Sequence, residues 1–243
     1  MALRPYWSGQ IRLSLVSLPV NVYAALNRSR QIAFHEIYRP TGQRVHHQLV
    51  VDGKEVERDD IVKGYEVEKG EYVLIEPEEI KELKIPSSEV LEIVEFVPRE
   101  AIDAVYYESP YFVTPDGKAA EEPFAVIREA LRQTGKVGIG QLAIGGRERL
   151  CAIKPCGSGI LLETLRYEEE IKESDPYFGD IAEGKLDAEQ LGLAKELIKR
   201  RTASFKPEKF HDHYREAVRE LIDAKLEHRT PREVVEEKPA GKV

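Results

Sequence analysis

The sequence predicts a mixed, β-rich fold, with one helix inserted among the strands and further helices near the C-terminal end. Three observations support this fold class. Segments with alternating apolar and polar side chains, bounded by Pro, Gly or Asp, recur through the first two-thirds of the 243 residues. Within that region, residues 123–133 carry apolar side chains at helical spacing instead. The last quarter changes to the three- and four-residue apolar spacing that is typical of amphipathic helices.

The first expected strand covers residues 10–16, where apolar and polar side chains alternate. Pro19 is expected to interrupt this strand, or to place it at a sheet edge, before a strand resumes at residues 20–23. Asp52-Gly53 separates two short apolar runs, which is a strong signal for a hairpin turn. Further strands are expected at residues 72–76, 90–97 and 111–114, the last of them ending in the turn 115–117.

Residues 123–133 predict a helix with its proline in the first turn. The runs 137–144 and 149–153 flank Gly145-Gly146 and predict a hairpin, to which residues 160–165 add a third strand. The glycines of this hairpin are not followed by the Lys and Ser or Thr of a phosphate-binding loop. A glycine-bearing hairpin is therefore the favoured interpretation.

Two helices are expected in the last quarter of the chain. Residues 187–190 form a plausible capping box that opens a helix through about Ala203, and Pro207 opens a second helix. The second helix has one apolar stripe, made of Tyr214, Ala217, Val218, Leu221, Ile222 and Leu226. The expected organisation is a core over residues 1–186, a helical region over 187–228 and a short polar tail over 229–243.

The composition describes a globular protein with an uneven charge distribution. Hydrophobic residues make up 42% and charged residues 33% of the chain, no apolar run reaches the length of a membrane helix, and residues 1–7 lack a secretory signal. With two cysteines, a disulfide framework is excluded and a reducing cytoplasm is expected. The net charge is −8, yet residues 1–50 contain six arginines and a single acid. This polarity fits a protein that presents one positive surface to a polyanion.

Several patterns resemble metal or catalytic sites and are better explained otherwise. His211 and His213 are two positions apart, which on a helix directs them away from each other, and the adjacent His46-His47 face opposite sides of a strand. Cys151 and Cys156 are too few for a structural zinc site and are expected to be two buried apolar thiols. The chain has no recognisable nucleophile or metal-hydrolase motif, so we expect no enzyme activity, no metal and no cofactor.

Arginines are the candidate functional residues. Arg28 and Arg30 are two positions apart and would project from the same side if their segment is extended, and other arginines lie in or beside the expected hairpins. A few arginines spaced along a strand can bind DNA phosphates without reading the base sequence. The candidate phosphate contacts are Arg28, Arg30, Arg39, Arg44, Arg147 and Arg149. Without the resemblance described next, ordinary surface arginines are the favoured interpretation.

Four segments resemble a known family. Residues 7–23, with their Trp-Ser-Gly start and their Leu-Val, Pro-Val and Val-Tyr finish, are similar to the opening strand of prokaryotic Ku proteins. Residues 205–214 and the segment after them resemble the C-terminal Ku signature of Phe, Pro, acid, aromatic, Asp and Tyr. Residues 91–98 and 111–116 resemble further Ku segments in the right order, so the resemblance covers roughly residues 5–228.

The resemblance implies a Ku-type β-barrel core that dimerises into a ring around DNA, with the 187–228 helices as part of the interface. It implies sequence-independent binding of double-stranded DNA ends in non-homologous end joining, recruitment of a multidomain ATP-dependent DNA ligase, no catalysis, and a cytoplasmic, nucleoid-associated location. Residues 46–53 lack the paired cysteines of many relatives, and the C-terminal end lacks their Lys-rich tail. Two other functions stay open: an acidic protein-interaction scaffold without DNA binding, and a hydrolase or nuclease.

Overall fold

The computed structural model describes residues 3–27, 32–83, 89–145, 147–181, 184 and 186–231. The chain divides into two compact units, and each is described by itself. The first contains residues 1–31 and 35–173, and the second contains residues 32–34 and 174–243. The expected division at residues 186 and 187 stays a prediction.

The described residues form thirteen strands and five helices. The strands are β1 (Trp7–Leu13), β2 (Val16–Ala24), β3 (Ile37–Tyr38), β4 (Gln43–Arg44), β5 (Val50–Val51), β6 (Lys54–Glu55), β7 (Lys63–Glu68), β8 (Glu71–Ile75), β9 (Val90–Pro98), β10 (Tyr107–Pro115), β11 (Lys136–Ile144), β12 (Arg147–Cys156) and β13 (Gly159–Leu165). The helices are α1 (Pro77–Glu82), α2 (Lys118–Thr134), α3 (Asp175–Phe178), α4 (Ala188–Arg201) and α5 (His213–Leu226).

Seven of these strands close a barrel in the order β1-β2-β10-β13-β12-β11-β9. Closure occurs between β9 and β1, which run parallel in the register Gln10–Val90 to Arg12–Glu92, whereas the other barrel pairs are antiparallel. The inward-facing side chains of the strands form the core, and α2 packs on it through Ala120, Phe124 and Leu131. The expected mixed, β-rich fold with a helical insertion and C-terminal helices is confirmed.

Close strand packing explains one of the β11 glycines. A Cβ atom placed on Gly140 would lie 2.2 Å from the carbonyl oxygen of Glu92 on β9. The ladder between these strands is irregular at this point, where Val94 is the extra, exposed residue of a bulge. Gly140 is therefore required for the close approach of two backbones, in agreement with the favoured hairpin interpretation.

The expected strand over residues 10–16 was wrong, because the chain turns in its middle. Ser14 has a φ of 50° and separates β1 from β2, so that the alternating pattern runs through a hairpin turn. Pro19 lies inside β2 and interrupts nothing. Its carbonyl accepts the N–H of Asp116, just after β10, at 2.9 Å. The N–H and C=O of a strand residue point to the same side, so the N–H that proline lacks would also point towards the end of β10.

The remaining strand predictions are largely confirmed. Strands β8 to β13 coincide with the expected apolar runs, and β11–β12–β13 form the expected three-stranded arrangement. Asp52 and Gly53 have φ angles of 49° and 76°, as a tight hairpin turn between β5 and β6 requires. The inserted helix is longer than expected, because α2 begins at Lys118 after the positive-φ Gly117, which leaves Pro123 in its interior.

The described part of the insertion between β2 and β9 contains three separate two-stranded hairpins, β3–β4, β5–β6 and β7–β8, followed by α1. Between residues 35 and 83 the described chain contains no buried side chain. Large apolar side chains are exposed on both faces of β7–β8, with Tyr65 and Val73 on one face and Tyr72 and Leu74 on the other. Isolated hairpins of this kind are marginal in water unless another surface covers them.

The second unit contains α3, α4 and α5. The Asp187 carboxylate accepts the N–H groups of Glu189 and Gln190 and caps α4 as expected. The second expected helix begins later than predicted, since Pro207 opens only a single 3-10 turn and α5 starts at His213 under the Asp212 cap. Within the described residues, none of the helices has the length and apolar content needed to cross a lipid bilayer.

Candidate nucleic-acid interface

Two of the candidate arginines lie on the β3–β4 hairpin. Arg39 begins the turn, which is closed by hydrogen bonds from the N–H groups of Thr41 and Gly42 to the Tyr38 carbonyl, and Arg44 ends β4. Both arginines are exposed, and neither has a carboxylate partner among the described residues. The hairpin therefore presents two available cations. Arg28 and Arg30 lie outside the described residues.

The other two candidates lie on β12 of the barrel. The register pairs Arg147 with Ile144 and Arg149 with Leu142, whose side chains belong to the barrel core. Arg147 and Arg149 are two positions apart and point to this same side, at one end of the barrel. Arg147 is exposed beside the hairpin turn, whereas Arg149 is half-buried. The candidates thus fall on two separate sheets, one in the insertion and one in the barrel wall.

Arg149 is bound within the barrel wall. Its guanidinium donates to Glu108 Oε2 at 2.5 Å, and the Glu108 carboxylate also accepts the hydroxyl of the buried Thr164 at 3.1 Å. The Thr164 hydroxyl in turn accepts the N–H of Ser109 at 3.1 Å. This network spans β10, β12 and β13, so Arg149 joins strands and is poorly placed to neutralise a DNA phosphate.

Other arginines of the first unit also bind backbone carbonyls. Arg128 and Arg132 on α2 donate to the carbonyls of Ser158 and Gly157, which ties the helix to the turn between β12 and β13. Arg166 donates to the carbonyls of Val105 and Tyr107 at 2.8 and 2.6 Å. A count of arginines therefore overstates the positive charge that is available to a ligand.

The sequence did not show that a further four cations lie together. Arg99, Arg132, Lys136 and Lys154 line one cavity of about 290 Å³ at the C-terminal end of α2. Its remaining walls come from Leu131, Gly135, Val137, Pro155 and Gly157, so no carboxylate lines it. The four cations are spread over 56 positions of the sequence, and only the antiparallel pairing of β9, β11 and β12 brings them together. No local motif signals such a cluster.

The two cysteines differ in their surroundings. Cys151 is fully buried, and burial raises the pKa of its thiol to about 12. A thiol in this state is inert near neutral pH. Cys156 is exposed at the end of β12, so the expectation of two buried thiols is correct only for Cys151.

The histidine pairs do not form a metal site among the described residues. His47 Nε2 lies 3.2 Å from Glu36. His211 and His213 approach the same carboxylate, that of Glu216, at 3.8 and 3.5 Å. The expectation that these two rings diverge on a helix was wrong, because His211 precedes the first residue of α5.

Comparison with known proteins identifies the family. The Ku70/Ku80 beta-barrel domain matches residues 12–193. The non-homologous end joining protein Ku of Acidobacterium capsulatum is 48% identical over 231 residues, covering 93% of this chain and 76% of that protein. The chain belongs to the Ku family. The protein of the same name from Bradyrhizobium sp. (strain ORS 278) is 39% identical, and the match covers 93% of this chain and 78% of that protein. The one from Coxiella burnetii is 34% identical, and the match covers 93% of this chain and 84% of that protein.

Membership of the Ku family accounts for the barrel that was expected from the four resembling segments. The matched region begins inside β1 and ends inside α4, so it contains the end of β1, the other six barrel strands, the hairpin insertion and α2. The Ku-type β-barrel core is thereby confirmed. The comparisons concern the family and the fold, and the choice of individual phosphate-binding arginines stays a prediction.

Proposed function

We propose that this chain binds double-stranded DNA ends without sequence preference, as a homodimeric ring, in non-homologous end joining. The observation that carries the proposal is the match to the Ku barrel domain over residues 12–193, together with relatives that are named for this process. The proposed role is non-catalytic: the bound protein recruits an ATP-dependent DNA ligase to the end. The cytoplasmic, nucleoid-associated location stays a prediction.

The second unit supports dimerisation because it lacks a core of its own. Ala224 is the one side chain that is buried among its described residues. Leu193, Leu197 and Ile198 on α4 are 57%, 61% and 69% exposed, and Phe205 and Phe210 between the helices are 83% and 75% exposed. Monomeric proteins rarely leave so many large apolar side chains uncovered. A second copy of the chain is the proposed occupant, since homo-oligomers most often have twofold symmetry.

The hairpin insertion supports the same conclusion. Its described residues bury no side chain, yet large apolar side chains are exposed on both faces of β7–β8, which favours a surface that is covered in the assembled protein. The β3–β4 hairpin has a different character. Its Arg39 and Arg44 are exposed, and neither has a carboxylate partner among the residues that the structure describes. We propose that this hairpin contributes phosphate contacts, with Arg147 on the barrel as a further one.

A mobility-shift comparison tests the proposal. The full chain is titrated against a linear duplex and a covalently closed circle of the same sequence, over a series of salt concentrations. Binding that needs a free end, is indifferent to sequence and weakens with salt supports a threaded ring. Equal binding to the circle refutes threading, and no binding to either DNA refutes the DNA-end function and favours the acidic scaffold.

Charge reversal at Arg39 and Arg44 tests the hairpin. The double variant is expected to weaken binding equally for unrelated sequences and to reduce the salt slope by about 0.9 for each phosphate that is no longer neutralised. The same effect is expected at Arg28 and Arg30. The matched control is Lys172→Glu, an exposed residue at the end of the first unit. An unchanged slope in the double variant removes the hairpin from the DNA interface.

A further inference from the structure

The cavity at the C-terminal end of α2 collects four cations, and within the described residues the fold uses only two of them in ion pairs. Arg99, Arg132, Lys136 and Lys154 line its wall, and no carboxylate does. Like charges that face one cavity repel each other, and the apolar floor formed by Leu131, Val137 and Pro155 reduces the screening by water. In a chain with a net charge of −8, such a concentration of positive charge indicates a negatively charged ligand.

Two of the four cations are held in position by the structure. Lys154 is 15% exposed, pairs with Glu163 on β13 and lies 5.1 Å from the centre of the Tyr107 ring. Arg132 donates to Glu129 at 2.6 Å and to the Gly157 carbonyl at 2.7 Å. A guanidinium has five N–H donors and an ammonium has three, so both groups keep donors for a ligand. They form a pre-organised part of the cavity.

The other two cations are available. Among the described residues, Arg99 and Lys136 have no carboxylate within ion-pair distance. Arg99 follows β9 directly, and Lys136 begins β11 opposite Pro98, so the β9–β11 ladder fixes their attachment points next to each other. Since neither group contributes an ion pair to the fold, both can be reversed in charge at small structural cost.

The balance of charges identifies the ligand class. Four cations against the carboxylates of Glu129 and Glu163 leave two positive charges, which matches the charge of about −1.5 to −2 on a phosphomonoester at pH 7. Two guanidinium groups also suit the bidentate geometry of phosphate oxygens. A volume of about 290 Å³ is suited to a small anion and is at the lower limit for larger ligands. We propose that this cavity is a phosphoryl-binding site.

The phosphoryl group has two possible sources, a free polyphosphate and the backbone of bound DNA, in which two phosphodiesters of one negative charge each would match the two positive charges. The second source rests on the proposed function, whereas the first is independent of it. The test uses the double variant Arg99→Glu/Lys136→Glu and the matched control Lys118→Glu, which reverses a charge at the opposite end of α2. The variants Arg99→Gln/Lys136→Gln serve as a second set in case the charge-reversed protein does not fold.

Two measurements separate the sources. Inorganic tripolyphosphate is titrated into the DNA-free protein by isothermal calorimetry, and the salt slope for a linear duplex is measured by mobility shift. We expect the double variant to lower tripolyphosphate affinity by about tenfold or more, and the control to stay within about twofold. If the double variant also reduces the duplex salt slope by about 0.9 or more, the ligand is a DNA phosphate, and an unchanged slope identifies a free phosphoanion.

The proposal is overturned if wild type and double variant bind tripolyphosphate equally and have equal salt slopes. It is also overturned if Lys118→Glu has the same effect as the double variant, since the response then reflects net charge alone. A wild-type protein that binds tripolyphosphate in the cavity and no duplex at all would refute the proposed function while supporting this site. Failure of the two proposals is therefore distinguishable.

Discussion

Replacing Arg149 with Met is expected to destabilise the barrel and to leave DNA binding largely unchanged. The side chains of Arg149 and Glu108 are 27% and 32% exposed. An exposed ion pair contributes about 0–1 kcal/mol, and breaking a fully buried pair costs about 3–5 kcal/mol. For this half-buried pair we expect a loss of about 1–2 kcal/mol, because Glu108 keeps one hydrogen bond from Thr164. At about 2–4 °C per kcal/mol for a chain of this size, the Tm falls by about 2–8 °C.

Thermal unfolding and the duplex salt slope, measured on the same protein, decide the question. Arg147→Met is the matched control, since Arg147 is exposed on the same side of the same strand. We expect it to keep the wild-type Tm and to reduce the salt slope by about 0.9, the opposite of the Arg149 variant. An Arg149→Met protein with wild-type Tm and a reduced slope would refute the assignment of Arg149 to the barrel wall.

Three further predictions follow from the fold. Leu193→Glu/Leu197→Glu is expected to convert a dimer to a monomer in sedimentation velocity, because the charges enter an apolar surface. Gly140→Ala is expected to lower the free energy of unfolding by about 1–3 kcal/mol in urea, since its Cβ would lie 2.2 Å from a carbonyl oxygen. Iodoacetamide is expected to label Cys156 but not Cys151 in the native protein. The pKa of Cys151 is about 12 when folded and 9.0 as the ordinary value, so its contribution to stability is present below pH 9 and decreases as the pH rises towards 12.

Each of these predictions has a control or a contrary outcome. For the dimer surface the control is Lys195→Glu. Lys195 lies between Leu193 and Leu197 in the sequence but on the opposite side of α4, so its charge reversal is expected to leave the dimer intact. Gly192→Ala has open space around the new Cβ and is expected to stabilise α4. Native labelling of Cys151, or a Cys151→Ala variant that keeps the wild-type alkaline loss of stability, would contradict the buried, high-pKa thiol.

The alternation of apolar and polar side chains was sufficient to predict most of the barrel strands. It failed where the alternation continued through a turn. Residues 10–15 alternate between polar and apolar side chains, but the positive φ of Ser14 reverses the chain there, and serine gives a weaker turn signal than glycine. Pro123 was placed in a first turn because proline is best tolerated there, yet packing of Ala120 on the barrel core extends α2 in the N-terminal direction. A weak local turn signal explains the first case, and a tertiary contact explains the second.

The candidate interface was harder to predict, because charge counts do not reveal pairing. Arg149 and Glu108 are 41 positions apart, and the sequence contains no sign that one neutralises the other. The same applies to Arg99 and Lys154, which only the strand order brings to one cavity. Local turn chemistry places Arg39 and Arg44 on a short exposed hairpin, as expected, and their contact with DNA stays a prediction.

The strand order also constrains how the barrel folds. Strands β9, β11, β12, β13 and β10 all lie between residues 90 and 165 and form a sheet whose two edges are β9 and β10. The β1–β2 hairpin fills the gap between these edges, although it is synthesised first and is separated from β9 by 65 residues. Its pairing has a high contact order, which slows closure and leaves two unpaired edges in the meantime. A chain that lacks the β1–β2 hairpin is therefore expected to aggregate through the unpaired edges of β9 and β10.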